Sequence, residues 1–392
     1  MNIGIICGYP IPYGMAATTR IFSYSKGLVE NGDNVDVWSI TPTNFAPELN
    51  KNNSGCFKGV SFFYSYKSQR FSNKILHILE IIYSLIILGI KLYKREKTLK
   101  YDAFIVSSDS IATLTYMLFC NIFFKHKLIF IFDEYPIPIR KKCKNKIPRW
   151  KKIAYQVILN KYSGYVSMTN TLLSFYKSII DKPGIIISSI TDISRFENIT
   201  KKPHNGDIYN LVYMGNMELS KDNVDNILYS IPILLQKGYN ISLFLYGNPS
   251  SKDKNILEKI ITQENLSEVV HFAYATFDEV PTILSNADIL VSSQPNTVRA
   301  DGGFPTKLGE YLMSETPVLL TDVGELSHYF KNGVHMYFAQ PQSPNDFAEK
   351  IKFIIDNYDE ALKVAQNGKN YITATYSQTA AGQKLHNFLN HL

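Results

Sequence analysis

Asp301-Gly302-Gly303-Phe304-Pro305-Thr306-Lys307-Leu308-Gly309-Glu310-Tyr311-Leu312 leads into the apolar segment Pro317-Val318-Leu319-Leu320 and the loop Thr321-Asp322-Val323-Gly324-Glu325. The paired glycines let backbone amides approach a ligand with no Cβ in the way. The periodic residues after Pro305 predict a helix whose N-terminus favours an anion such as a phosphate. Lys307 and Glu310, three residues apart, share one face of that helix. The cation suits a diphosphate and the carboxylate a pair of ribose hydroxyls. Gly302, Gly303, Phe304, Pro305, Thr306, Lys307, Leu308 and Glu310 therefore form a candidate diphosphate- and ribose-binding segment.

Outward from this segment the chain alternates strand and helix. Strands are predicted near residues 211, 241, 270, 289 and 318, with helices near 223, 253, 278, 306 and 345. Upstream, Ile3 to Cys7 reads as a buried strand, Gly8 to Gly14 as a loop and Thr18 to Glu30 as a helix. Gly32 and the strand Val35-Asp36-Val37-Trp38 complete a βαβ opening. Further strands fall near 60, 103, 128 and 165, and helices near 75, 111, 151 and 171. Such alternation predicts parallel sheets covered on both faces, with ligands at the carboxyl ends of the strands. Gly215 and Gly247 each follow a strand directly, as that placement requires. The weakly apolar run Glu197 to Gly206 predicts a linker between a domain of residues 1–198 and one of residues 206–376.

The 392 residues, 45% hydrophobic and 19% charged, suffice for two α/β cores and argue against disorder. The net charge of +7 is unevenly spread: residues 1–200 hold 26 Lys and Arg against 13 Asp and Glu, the remainder 15 against 21. A basic first half points to an anionic surface or substrate there. Its clusters are Lys91 to Lys100 and Arg140 to Lys152, the second interleaved with Ile147 and Trp150 as an interfacial anchor would be. A solvated basic loop gives the same pattern. No nucleic-acid motif accompanies it, so a nucleic-acid partner is not expected.

Ile75 to Tyr93, nineteen mostly apolar residues holding His77 and Glu80, is long enough to cross a bilayer. It also falls where the first domain needs a helix, so a buried or membrane-docked helix is expected in place of a span. The cysteines are scattered, and the N-terminus enters the first strand without a secretory signal pattern, so a cytosolic location is expected.

The string from Asp301 to Glu325 resembles the donor-nucleotide motif of retaining glycosyltransferase family four. The family's second signature, a glycine after the first strand of the C-terminal domain followed by Arg and then Lys, is matched at Gly215 and Lys221, with Asn216 in place of the Arg. The family's sugar-contacting carboxylate eight positions before the helix Glu is here Gly302, beside Asp301. Ile190 to Phe196 is similar to the stretch that ends the family's first domain. The strands ending at Gly247 and at Val270-His271-Phe272 resemble those that approach the nucleotide base.

The resemblance implies a GT-B fold: two Rossmann-like doubly wound domains facing across a cleft, with the final helix, residues 377–392, packing back on the first. It implies a bacterial-type retaining glycosyltransferase using a nucleotide-sugar donor, UDP-sugar over GDP-sugar. The acceptor is expected to be a glycan or lipid-linked, in surface polysaccharide or glycolipid synthesis, on the inner face of the cytoplasmic membrane. Lys221 and Lys307 are the expected catalytic cations, neutralising the departing diphosphate without reorganising. Gly14, Gly215, Asn216, Gly247, His271 and Phe272 join them around the donor, with Arg299 able to supply the missing Arg. Asp133 and Glu134, ending the strand Leu128 to Phe132, are catalytic and acceptor-binding candidates, with Tyr13 and Arg20 beside them; a turn cap and a solvated face are the plainer readings of the carboxylates and of Arg20. The chain holds no Asp-x-Asp pair and no spaced His ligands, so no metal or cofactor is expected. A sugar-nucleotide epimerase using Asp133, Glu134 and His271 is one alternative. A non-catalytic membrane-bound scaffold, suggested by Gly302 and Asn216, is the other.

Overall fold

The computed structural model describes residues 1–140 and 146–392. Lys141, Lys142 and Lys144 of the second basic cluster lie outside the described residues. The chain divides into two compact units, one of Met1–Thr191 with Tyr376–Leu392, the other of Asp192–Thr375.

The first unit runs β1 (Asn2–Cys7), α1 (Ala16–Glu30), β2 (Asn34–Ser39), β3 (Ser54–Phe57), β4 (Val60–Tyr64), α2 (Lys74–Leu99), β5 (Ala103–Ser107) and α3 (Ile111–Phe124). It continues β6 (Lys127–Phe132), α4 (Ile137–Arg140), α5 (Arg149–Leu159), β7 (Gly164–Ser167), α6 (Asn170–Lys177) and β8 (Gly184–Ile186). The strands form one sheet in the order β3-β4-β2-β1-β5-β6-β7-β8, parallel except for β3. That strand pairs antiparallel to β4 through a two-residue turn in which Lys58 (φ +51°) and Gly59 (φ +82°) are both left-handed, the geometry that matches strand twist in a tight hairpin.

Alternate side chains of each strand feed two cores. Ile3, Ile5, Val37, Ile105 and Ile129 pack on one face under α1 and the C-terminal helix; Ile6, Trp38, Phe104, Phe130 and Phe132 pack on the other under α2, α3, α5 and α6. Side-chain caps start several helices: Asn73 accepts from the Ile75 and Leu76 amides, Ser110 from Thr113 and Thr169 from Leu172.

The second unit opens with a 3₁₀ turn, Ile193–Phe196, and then β9 (Tyr209–Met214), α7 (Leu219–Asp222), α8 (Val224–Gln236), β10 (Ile241–Tyr246), α9 (Ser251–Gln263), β11 (Val270–Ala273) and α10 (Val280–Asn286). β12 (Ile289–Ser292), α11 (Val298–Gly302), α12 (Lys307–Met313), β13 (Val318–Thr321), α13 (Leu326–Tyr329), β14 (Tyr337–Ala339), α14 (Pro344–Asp356) and α15 (Tyr358–Tyr376) follow. The all-parallel sheet has the order β11-β10-β9-β12-β13-β14, the doubly wound arrangement whose direction of travel reverses between its first and fourth strands. The predicted α/β class with two doubly wound domains is borne out.

One expectation needs correction. The polar run predicted as a linker is fastened to the second unit: Lys201 Nζ donates to the carbonyls of Ser285 and Ala287 and to Thr316 Oγ1, at 2.7–3.3 Å, and the His204 ring stacks on Tyr209 at 4.2 Å. Low apolar content there reflects side-chain hydrogen bonding, and the change of unit falls earlier, at Asp192. The apolar helix predicted near residue 75 forms as α2, but only 22% of its most apolar window is buried.

The last helix, α16 (Gln378–His391), belongs to the first unit and crosses α1 at two glycines. A Cβ on Gly27 would stand 1.9 Å from the Gln378 carbonyl oxygen, and one on Gly382 2.2 Å from the Gly27 carbonyl carbon. Backbone meets backbone here, so neither side can yield by changing a rotamer. Gly382→Ala is expected to destabilise the first unit by about 1–3 kcal/mol, the usual cost of overpacking. Its unfolding midpoint in urea should fall, and an unchanged midpoint would show that the helices can separate freely.

Candidate functional site

In a doubly wound sheet the crevice opens at the carboxyl ends of the strands where the order reverses, here β9 and β12 of the second unit. β9 ends at Met214 and hands on to Gly215 and exposed Asn216. The helix α12 is tied beneath this end, since Tyr311 Oη accepts from the Met214 amide at 2.7 Å. That anchor delivers Lys307 to the loop: its Nζ lies 3.4 Å from Asp222 Oδ1 and 4.2 Å from the centre of the Tyr213 ring. A Cβ added to Gly215 would sit 2.7 Å from the same Nζ. Gly247, at φ +146°, is equally constrained, because a Cβ there would meet the Gly215 carbonyl oxygen at 1.8 Å. Gly215 thus leaves room for the ammonium group, and Gly247 leaves room for the Gly215 backbone.

Burial draws the Lys307 ammonium below the ordinary lysine pKa; Asp222 opposes that shift and nearby Lys221 adds to it. Two cations with one carboxylate between them hold an excess positive charge that a diphosphate would neutralise.

The donor-binding segment divides by burial. Gly302, Phe304, Pro305 and Leu308 face inward, with the Phe304 ring edge-on to Tyr329 at 5.7 Å, so they shape the turn. Gly303, Thr306, Lys307 and Glu310 reach the surface. α12 has seven residues and Thr306 makes no side-chain cap bond, so the site's charge comes from the lysines more than from the helix end. Glu310 is gripped by Arg195, whose guanidinium also donates to the Phe277 carbonyl at 2.5 Å and lies 3.8 Å over the Phe277 ring. Burial lowers the Arg195 pKa to about 10 against the pull of Asp192 and Asp278.

His271 and Phe272 point to opposite sheet faces. His271 stands 5.0 Å from Phe244, whereas Phe272 packs on the hydrophobic core beneath Lys254. Arg299 Nη1 pairs with Glu218 at 3.1 Å, two residues after Asn216, so a guanidinium does stand by the loop that lacks its own Arg. Asp222, Tyr213 and Arg195 are the residues that sequence reading passed over. Adjacency to Lys221 was a signal for Asp222; Arg195 carried none.

In the first unit the sheet order reverses between β1 and β5. Tyr9, after β1, places its hydroxyl 3.5 Å from Ser107 Oγ at the end of β5, and burial together with Asp133 raises its pKa to about 12. It stays protonated at neutral pH. Asp133, just past β6, binds Arg20 Nε at 2.8 Å. Arg20 is buried, donating also to Tyr24 Oη at 2.7 Å and to the carbonyls of Ser188 and Ile187. The solvated-face reading of Arg20 is overturned, since four of its N–H donors are engaged within the first unit. Tyr13 packs edge-on to Phe57 at 5.2 Å and its backbone pairs with Asn50, a structural placement. Gly14 is required by the turn itself, since a Cβ would meet Thr18 Oγ1 at 2.0 Å. Glu134 is half-buried beside Asp133. Among the described residues no three His, Cys, Asp or Glu side chains gather closely enough to hold a metal ion.

Residues 194–371, within the second unit, match the family model described as glycosyl transferases group 1. An uncharacterised glycosyltransferase of Methanocaldococcus jannaschii is 28% identical over 115 residues, which are 29% of this chain and 31% of that protein. The chain thus spans about a third of that curated relative. Over the whole chain the fold is GT-B: sucrose-phosphate synthase from Thermosynechococcus elongatus superimposes with a TM-score of 0.75 at 13% identity, covering 100% of this chain and 98% of that one. The Anabaena protein HepE, solved in complex with UDP, does so with a TM-score of 0.71 at 13% identity and 100% coverage of both.

Proposed function

We propose that this chain is a retaining glycosyltransferase that moves a sugar from a nucleoside diphosphate, a UDP-sugar in preference to a GDP-sugar, to a glycan or lipid-linked acceptor in surface polysaccharide or glycolipid synthesis. One observation carries the reading: within the region matching group 1 transferases, Lys307 lies at the reversal point of the sheet, where Gly215 leaves room for its ammonium and the charge of Lys221 is close enough to act on it. Breaking the bond to the anomeric carbon throws negative charge onto the diphosphate, and fixed cations stabilise that charge as it grows. Glu310, one turn from Lys307 and oriented by Arg195, is placed to accept from ribose hydroxyls. With the cations supplying electrostatic stabilisation, the reaction runs without a metal. Retention follows if the departing phosphate oxygen takes the acceptor's proton on the face it leaves. The enzyme would work in the cytoplasm.

The epimerase reading is disfavoured because Asp133 already neutralises Arg20 and His271 lies against Phe244. Isothermal titration with UDP and UDP-sugars tests the proposal, followed by donor hydrolysis without acceptor. Saturable UDP binding, and hydrolysis that survives exhaustive EDTA treatment, are expected. No heat at millimolar UDP would refute the site, and strict dependence on a divalent ion would refute its metal independence.

A further inference from the structure

Helix α2 carries two apolar faces, and the fold uses only one. Leu88 and Leu92 are buried in the core of the first unit, with Ser84 and Glu80 continuing the same face at four-residue intervals. Glu80 is pinned there by Lys67 Nζ at 2.7 Å and by the Phe71 amide at 3.0 Å. On the opposite side Ile75, Leu79, Ile82, Ile86, Ile90 and Tyr93 recur every three or four residues, and each is between 49% and 70% exposed. A soluble helix normally turns charge outward at those positions.

The neighbouring helices extend the same surface. α3 is bonded to α2 by the Tyr116 hydroxyl, which donates to the Leu85 carbonyl, and it exposes Phe119, Ile122 and Phe123. α5 packs against α3 and exposes Trp150, Ile153 and Val157 in a single stripe. All three helices cover the same sheet face, so their outer sides form one layer of exposed aliphatic and aromatic groups. Cations border it: Lys94, Lys97 and Lys100 at the carboxyl end of α2, and Arg149 and Lys152 flanking Trp150. Aliphatic groups with an indole and a rim of lysines suit the boundary of an anionic bilayer, where acyl chains meet phosphate headgroups.

We propose that the outer faces of α2, α3 and α5 dock on an anionic lipid bilayer, with α2 lying in the plane of the interface. α2 is the one helix among the described residues long and apolar enough to span, yet crossing would pull Leu88, Leu92 and Glu80 away from the core and partners they already have. An in-plane helix satisfies both faces at once. Catalysis near a membrane would follow for a lipid-linked acceptor, but docking does not depend on the donor reading.

Vesicle co-sedimentation of the full chain, using phosphatidylcholine alone and phosphatidylcholine mixed with phosphatidylglycerol, tests it. Binding to the mixed vesicles at least about tenfold tighter than to neutral ones is expected, weakening as salt screens the rim. The variant Ile82→Ser/Ile86→Ser/Ile90→Ser, with its fold checked by circular dichroism, should lose vesicle binding while keeping wild-type UDP affinity, whatever that affinity is. Lys97→Gln/Lys100→Gln/Lys152→Gln should remove the preference for anionic lipid. Wild-type vesicle binding by the serine variant would overturn the surface. So would a dimer that the serine variant dissociates in the absence of any vesicle affinity, because the layer would then be covered by a second copy. Resistance to alkaline carbonate extraction would overturn the in-plane geometry in favour of a span.

Discussion

Lys307→Ala is expected to lower kcat for sugar transfer by about 10²–10³-fold, the range seen when one preorganised donor to a developing anion is removed. Its ammonium is the group that Gly215 leaves room for, and it is held between Asp222 and the Tyr213 ring with no other carboxylate in its ion pair. Removing it leaves Asp222 without its counter-charge and cancels the excess positive charge that the diphosphate would meet. UDP affinity should weaken as well, but by less than kcat, because the leaving group carries more charge in the transition state than in the bound donor. Lys307→Arg keeps the charge but brings a bulkier planar head toward Gly215, so only partial rescue is expected. Kinetics and UDP titration on the same preparations check this, with unchanged circular dichroism excluding unfolding; wild-type kcat in the alanine variant would end the cradle assignment.

The protonation of Lys307 adds a pH signature. Burial depresses its pKa, so its charge is lost at a lower pH than that of a free lysine. The charged form binds the diphosphate. UDP affinity should therefore fall as pH rises, beginning below the ordinary lysine range, and the fall should vanish in Lys307→Ala.

The parts of this architecture legible in the sequence are those whose residues speak locally. Ile3, Ile5 and Val37 alternate or cluster as buried strands do, and the glycines at 215 and 247 sit where strands must end. Lys307 and Glu310 are three apart in a segment bounded by Pro305, so their common face needs no tertiary information. What stayed hidden depends on distant partners or on weak apolar signals. The edge strand β3, Ser-Gly-Cys-Phe, exposes its first three residues and forms because β4 offers a ladder, not because its own pattern demands one. Three-residue β8 and β14 are too short to show alternation. Helix α15 buries Ala361, Val364, Ala365, Gly368 and Ile372 at helical spacing, but small residues barely register as apolar, so a nineteen-residue helix escaped notice. That Glu310 shares a helix face with Lys307 follows from spacing, whereas its clasp by Arg195, 115 residues away, is a product of folding alone.

Arg20 was the least legible residue, and it supports the second large prediction. Set in α1 among helical residues, it reads as a surface cation, yet it is only 4% exposed and distributes its guanidinium over Asp133, Tyr24 and the carbonyls of Ile187 and Ser188. Asp133 and Tyr24 hold it protonated against the cost of burial. Arg20→Ala would strand the Asp133 charge and leave two buried carbonyls and a hydroxyl without their donor, at an expected cost of about 3–5 kcal/mol to the first unit. Arg20→Lys, which keeps the charge but cannot reach four acceptors in a fork, should recover only part of that. Both tryptophans, Trp38 and Trp150, lie in the first unit, so tryptophan fluorescence in a urea titration reports that unit alone. The alanine variant should unfold at markedly lower urea by fluorescence while UDP binding, read on the second unit, retains its wild-type midpoint. Coincident shifts of both probes would mean that the two units unfold as one, and an unshifted fluorescence transition would show that Arg20 is tolerated without its partners.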